Sequence, residues 1–294
     1  MSLGSYFHDL TSQPGVVVVG AQGMLGVEVC GLLSKLKIPF SAVDRDEFDL
    51  TCTSAVNASA LNLDGVWINC AAWTDVDSAE EHEEYALAIN GGDGLKALCA
   101  RIKEAGGLLV HVSTDYVFDG NASEPYKTDR ERSPIGAYGR TKAAGEKVVE
   151  ESGCEHIIAR TSWLYSHRAN NFVRTMAKLT RDKDQLRVVS DQRGRPTSAA
   201  HLAESLVRLV DANARGTFHV TDNGECSWYE FTIAIRDGLG YECLIEPCTT
   251  DEFPRPAPRP AYSVLDLSKT QATIGEMPNW QNNLKAVLGQ LEPY

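Results

Sequence analysis

Four consecutive valines, Val16 to Val19, run straight into Gly20-Ala21-Gln22-Gly23-Met24-Leu25-Gly26, and no other stretch constrains the fold as much. A short, unbroken β-branched run between glycines reads as a strand buried on both faces, as inside a parallel sheet. A helix is predicted over residues 27–36, because Val29, Leu32, Leu33 and Leu36 fall on one face. The intervening G-x-x-G-x-x-G turn is one residue longer at the front than the G-x-G-x-x-G fingerprint, with the same physical logic. Glycine permits a tight turn and close backbone approach to a pyrophosphate, and the helix N-terminus then aims free N–H groups at the phosphates. Strand, turn and helix together predict dinucleotide binding.

A second strand, residues 40–43, ends at Asp44-Arg45. An acidic residue about twenty positions beyond the glycines is placed to hold a ribose 2′-hydroxyl. Arg45 suits a 2′-phosphate instead, so NADH and NADPH both stay open. Further strands are predicted at 65–70, running into Ala71-Ala72-Trp73, at 108–112, delivering Ser113-Thr114, and at 157–160, running into Thr161-Ser162-Trp163. Helices fall between them: one carries Tyr85 to Ile89 and ends at Asn90-Gly91-Gly92, another covers 95–105 and stops at Gly106-Gly107.

Regular alternation of this kind implies an α/β fold, a doubly wound parallel (Rossmann-like) sheet. Ligands of such sheets bind beyond the carboxyl ends of the strands, where Gly20, Asp44, Ala71, Thr114 and Trp163 all fall. After about residue 165 the pattern loosens into helical stretches at 172–181 and 199–213 and a strand at 217–220. Residues 252–260 hold four of the twelve prolines and read as a rigid, extended loop. The expected division is a dinucleotide-binding domain over 15–165 and a smaller C-terminal substrate-binding lid over most of 166–294. Later segments such as 215–238 are expected to return to the first domain.

A net charge of −12, from 28 basic against 40 acidic side chains, argues against nucleic acid or an anionic membrane as partner. No apolar run reaches the ~18–20 residues of a membrane span. The first fourteen residues lack the pattern of a secretory signal and read as a loose leader. Eight cysteines form no C-x-x-C pair, and several sit inside apolar segments, which fits free thiols in a reducing cytoplasm. The acidic run Glu80-Glu81-His82-Glu83-Glu84 reads as a solvated helix face rather than a metal cage.

Tyr138 and Lys142, four residues apart where a helix begins, share a face. A free tyrosine has a pKa of about 10, too high for an efficient acid at neutral pH, and a nearby ammonium lowers it. Such a phenol can give its proton to a carbonyl oxygen as hydride reaches the carbon, while a hydroxyl from Ser113 or Thr114 polarises that oxygen. The spacing alone is common on helices. Its weight comes from the glycine turn and the hydroxyl pair ending the fourth strand.

Four blocks carry a closer likeness: 71–80 (Ala-Ala-Trp-Thr-Asp-Val-Asp-Ser-Ala-Glu), 113–120 (Ser-Thr-Asp-Tyr-Val-Phe-Asp-Gly), 138–146 (Tyr-Gly-Arg-Thr-Lys-Ala-Ala-Gly-Glu) and 160–165 (Arg-Thr-Ser-Trp-Leu-Tyr). With 191–197 and Arg259-Pro260, they make the chain resemble the dTDP-4-dehydrorhamnose reductase family of extended short-chain dehydrogenases/reductases, over roughly residues 15 to 290. The resemblance implies reduction of a dTDP-4-keto sugar with NADPH or NADH, Thr114, Tyr138 and Lys142 being catalytic. It implies that Gly20, Gly23, Met24, Leu25, Asp44, Arg45, Ala71 and Ala72, with the catalytic trio, line the cofactor. Thr74, Val76, Tyr116 and Trp163 would face the deoxysugar and its nucleotide. For the substrate pyrophosphate, Arg193, Arg195, Arg255 and Arg259 are all available.

Some relatives bridge a dimer with Mg²⁺ held by glutamates. Glu28 is suitably placed, but His201 stands where the partner carboxylate is expected, so no metal is assigned and a homodimer is left open. Two rival readings share the fold: an NADP-binding regulatory subunit like that of methionine adenosyltransferase, and a nucleotide-sugar dehydratase or epimerase. Net NADPH consumption separates both from a reductase.

Overall fold

The valines at the start of the chain are buried on both sides, and their alternation shows how. In the computed structural model, which describes residues 15–291, β1 (Val16–Val19) lies inside a six-stranded sheet, one strand in from its edge. Val16 and Val18 enter one hydrophobic cluster and Val17 and Val19 the other, one on each face of the sheet. The neighbours of β1 are β2 (Phe40–Val43) and β3 (Val66–Asn69), both parallel to it. Beyond β3 lie β4 (Leu108–Thr114), β5 (Glu155–Thr161) and β10 (Gly216–His219), again all parallel. The spatial order is therefore β2-β1-β3-β4-β5-β10. After β2 the chain crosses to the opposite side of β1, which opens a crevice between the carboxyl ends of β1 and β3.

Helices cover both faces. α1 (Met24–Leu36) buries Leu25, Val29 and Leu33 in the first cluster, which it shares with α7 (Ala199–Asp211). The short α2 (Thr53–Ala58) and α4 (Asp93–Ala105) cover the other face, α4 through Leu95, Leu98, Cys99 and Ile102. Each such side chain contributes about 1.5–3 kcal/mol on leaving water, so these two stripes account for much of what holds the layers together. α1 starts three residues earlier than its apolar spacing suggests, because Gly23 is the extended N-cap and the last glycines of the motif form the first helical turn. α4 ends as expected on Gly106, which takes the left-handed conformation at φ 76°.

α3 (Glu83–Gly91) crosses α5 (Ala137–Ser152) backbone to backbone at a pair of glycines. A Cβ on Gly91 would lie 2.5 Å from the Gly145 nitrogen, and one on Gly145 would lie 2.1 Å from the Asn90 oxygen. Only glycine fits at this crossing.

The rest of the chain forms a second lobe that interleaves with the first. α6 (Phe172–Asp182), α8 (Trp228–Leu239) and α10 (Trp280–Leu288) enclose a third cluster around Tyr165, Phe231 and Trp280. β7 (Gln185–Val189) pairs with β12 (Leu244–Cys248) beside them. Short pairs complete the connections: β6 (Leu164–Tyr165) with β9 (Thr197–Ser198), and β8 (Arg193–Gly194) with β11 (Cys226–Ser227). A last helix on the first lobe is α9 (Ser268–Ile274). Within residues 215–238, β10 joins the main sheet beside β5, whereas α8 packs in the second lobe. The leader expected over residues 1–14 lies outside the described residues. Among the described residues no helix is long and apolar enough to cross a membrane.

Candidate active site

The glycine turn, the end of β2 and the loop after β3 meet at the crevice. Gly20 has φ +74°, and a Cβ there would lie 2.7 Å from the Ala71 nitrogen, so the turn touches the β3 loop backbone to backbone. No side chain caps α1, whose first N–H groups, those of Met24 and Leu25, have no helical acceptor of their own. The Leu25 side chain points away, into the core. Asp44 braces the turn from β2: one carboxylate oxygen accepts the Gln22 N–H at 2.8 Å and the other the Arg45 N–H at 2.8 Å. Arg45 donates to the Tyr85 hydroxyl at 2.6 Å. A cavity of about 240 Å³ follows, lined by Gly20, Gly23, Asp44, Arg45, Ala71 and Ala72. Its bare backbone, uncapped helix and flanking acid and base fit a dinucleotide.

β4 and α5 carry the hydroxyl pair. Thr114 ends β4, and its hydroxyl donates to Asp115 Oδ1 at 3.0 Å while accepting the Tyr116 N–H at 3.2 Å. The Tyr138 phenol lies beside it. Burial holds that phenol above its ordinary range; the neighbouring Thr114 hydroxyl opposes the rise without cancelling it. Burial likewise pushes Asp115 up to about 6. Lys142 projects into the interior, 2 % exposed, and donates to the Val112 carbonyl of β4 at 2.6 Å. Loss of water lowers it to about 8, against the pull of Glu146 and Cys70. The expectation that Lys142 lowers the tyrosine pKa is therefore corrected. The ammonium is spent on a main-chain carbonyl, and desolvation of the phenol wins.

Several residues that position the pair are not legible as site residues in the sequence. Asn90, read there as part of a helix stop, is 1 % exposed. Its Oδ1 accepts the Trp73 N–H at 2.9 Å, and its Nδ2 donates to Thr141 Oγ1 at 2.9 Å, tying the β3 loop to α5 between Tyr138 and Lys142. Glu146 is wholly buried and accepts from Ser113 at 2.6 Å, from Arg160 at 2.9 and 2.7 Å and from Arg132 at 2.9 Å. Burial is the strongest single influence and would raise its pKa, but Arg160, Ser113 and Arg132 together outweigh it and the carboxyl sits below its usual range. Glu146 stands four residues after Lys142, so helical spacing is the signal that could have found it.

The acidic run at 80–84 is also corrected. Glu80 Oε1 accepts the Ala137 N–H at 2.8 Å, and Glu83 takes a two-pronged grip from Arg140 at 2.8 and 2.7 Å. Both hold the start of the helix that bears Tyr138. Glu81 and Glu84 remain solvated.

The substrate-side residues part company. A cleft of about 990 Å³ opens between the lobes, lined by Val76, Tyr116, Phe172, Trp228, Arg255 and Arg259 among others. The Tyr116 ring stands edge-on to Tyr138, centroids 5.6 Å apart, which links the cleft to the hydroxyl pair. Trp163 lies behind the lining, stacked on Trp228 at 3.5 Å, with a left-handed φ of 47° that is unusual for so bulky a residue. Thr74 is exposed in the β3 loop and lines neither cavity. Among the described residues, no three His, Cys, Asp or Glu side chains gather as a metal cage. Glu28 faces His167 at 3.7 Å.

A doubly wound sheet with a hydroxyl pair and a buried lysine beyond its carboxyl edge defines an oxidoreductase of the short-chain dehydrogenase/reductase class. More narrowly, the chain belongs to the RmlD substrate binding domain family, whose model matches residues 15–292. It is 40 % identical over 252 residues to a Streptomyces niveus protein named dTDP-4-keto-6-deoxy-D-glucose reductase, covering 85 % of this chain and 87 % of that one. A dTDP-4-dehydrorhamnose reductase from Clostridium acetobutylicum superposes with a TM-score of 0.88 at 41 % identity, over 94 % of this chain and 99 % of that one. Another, from Bacillus anthracis in complex with NADP, superposes with a TM-score of 0.89 at 33 % identity, over 95 % of this chain and 100 % of that one.

Proposed function

We propose that this protein reduces dTDP-4-dehydro-L-rhamnose to dTDP-L-rhamnose with NADPH or NADH. The observation that carries the reading is the Thr114–Tyr138 hydroxyl pair, beside a buried Lys142 and at the inner end of a large cleft. The reduced nicotinamide, when bound, supplies hydride to the carbonyl carbon. Gly20, Gly23, the backbone of Met24 and Leu25, Asp44, Arg45, Ala71 and Ala72 would hold the dinucleotide.

The chain's own residues handle the oxygen. Tyr138 donates its proton to the carbonyl oxygen at C4 as negative charge develops there. Thr114 donates a second hydrogen bond to the same oxygen as that charge grows. Lys142, one helical turn along and held by the Val112 carbonyl, would reach the nicotinamide ribose and so tie the proton donor's helix to the cofactor. Val76 and Tyr116, with Trp163 backing Trp228, give the 6-deoxy face of the sugar an apolar wall. The part before residue 165 carries the cofactor and the part after it most of the lid. Eight free cysteines support work in a reducing cytoplasm.

The test is a spectrophotometric assay of NADPH and NADH oxidation with the dTDP-4-keto sugar, with dTDP-4-keto-6-deoxy-D-glucose in a second arm. Stoichiometric oxidation with the first substrate is expected. Cofactor binding without oxidation of either substrate would overturn the reading and favour a regulatory protein.

A further inference from the structure

Residues 250–259 run along the rim of the 990 Å³ cleft, and one carboxylate on the other lobe holds them there. Asp77 Oδ1 accepts the Ala257 N–H at 3.2 Å and Arg259 Nη2 at 2.9 Å, while Arg255 Nη1 lies 3.9 Å from Oδ2. Asp77 precedes the helical turn of Glu80, so the same short stretch holds the catalytic helix and the proline-rich strap.

The Arg259 guanidinium is otherwise only half used. Its Nη1 is buried with no hydrogen-bond partner at bonding distance; the Tyr116 phenol is near enough to feel its charge, the ring centroid lying 5.9 Å from its carbon. The other candidate arginines are committed elsewhere. Arg193 pairs with Glu225 and Glu230; Arg195 bonds Asn223 through Nη1 and, like Arg259, keeps a buried nitrogen without a partner, its Nε, but neither residue lines the cleft. Arg187 does line it but is joined to Glu252 at 2.6 Å, and Arg255 is largely exposed over the Phe253 ring. A buried guanidinium with one prong anchored and one free is preorganised for an anionic oxygen.

We propose that Arg259 seats the diphosphate of the substrate and that Asp77 is the positioning residue, latching the strap and fixing the plane of that guanidinium. This rests on the nucleotide-sugar reading above. Two steps, 5.9 Å from the guanidinium to Tyr116 and 5.6 Å from Tyr116 to Tyr138, separate Arg259 from the proton donor. That is a span suited to one pyranose ring and its anomeric phosphate, which puts C4 at Tyr138 when the diphosphate is at Arg259. The free Nη1 takes the phosphate oxygen while Nη2 stays on Asp77, so the latch survives binding.

The experiment uses the full chain saturated with NADP and titrates inorganic pyrophosphate, dTDP and thymidine by calorimetry, alongside steady-state kinetics. Arg259→Met is expected to weaken dTDP and pyrophosphate at least tenfold and thymidine less than twofold, with NADP binding unchanged. Asp77→Ala is expected to raise KM for the sugar nucleotide at least tenfold with kcat within threefold. Asp77→Asn, which keeps the accepting oxygen, recovers most of the loss. Wild-type dTDP affinity in Arg259→Met, or an equal loss for thymidine, overturns the proposal. So does a fall in kcat without a rise in KM for Asp77→Ala. If the wild type prefers another nucleoside diphosphate and Arg259→Met still weakens it, the thymidine reading fails and the diphosphate seat stands.

Discussion

The two cavities of this molecule are built on opposite principles. The smaller one is made of main chain drawn from neighbouring strand ends: a glycine turn, an uncapped helix, and a carboxylate that spends both oxygens on backbone N–H groups. The larger is made of side chains drawn from segments far apart, and Asp77 and Arg259, which meet across it, are 182 residues apart in the chain. The first is rigid because the sheet is rigid. The second depends on a latch. A common cofactor suits a fixed backbone mould, whereas a particular sugar nucleotide needs side chains that can differ between relatives.

The hydroxyl pair lies where the two meet and gives the sharpest test. Tyr138→Phe removes the proton but leaves the main-chain mould intact, so kcat should fall by about 10²–10⁴-fold, with NADPH affinity within twofold by fluorescence titration. Matching losses in both would show that the two cavities are not separable.

Glu146 probes the support behind the pair. Glu146→Ala leaves Arg160, 2 % exposed, without its partner carboxylate, and should cost about 3–5 kcal/mol in urea unfolding. A loss below 1 kcal/mol would show that this buried pair does not hold α5 to the sheet.

Protonation distinguishes site from scaffold. Lys142, lowered to about 8, keeps its charge below that pH, so turnover should decline as pH rises through about 8. Stability runs the other way. Between about 8 and the ordinary lysine value of about 10.4, the unfolded chain binds more protons than the folded one, so Lys142 adds stability as pH rises. Lys142→Met should abolish that increment in a stability–pH profile; an unchanged profile would remove Lys142 as its source.

The smallest expected effect is at the start of α5. Glu80→Ala deprives the Ala137 N–H of its acceptor and should cost about 0.5–2 kcal/mol, with turnover falling because Tyr138 is the next residue. Stability loss with full turnover would show that the cap serves the fold alone.

These contrasts also explain what was legible in the sequence. The valine run, the glycine turn and the helix stripes encode their own structure locally, so the parallel sheet and its ligand-bearing strand ends followed from period and punctuation. The Tyr138–Lys142 spacing was visible for the same reason, but where the ammonium points was not: its partner is a carbonyl on β4, thirty residues back. Glu80 and Asn90 misled for a related reason. A glutamate in an acidic run and an asparagine before two glycines carry strong local readings, and only tertiary contact with α5 overrides them. The choice among four arginines depended on which of them the fold brings to the cleft and how deeply it buries them, and no spacing reports that.

The bare crossing of α3 on α5 has a further consequence. With Gly91 against Gly145 there is no layer of side chains to act as a cushion, so a push on one helix passes undiminished to the other. The catalytic helix, α3 and the loop that Asn90 ties to them form one inelastic block. Accommodation of sugars of different bulk is thereby left to the opposite bank of the cleft, where the side chains of Phe172 and Trp228 stand on helices that the proton donor's block does not include.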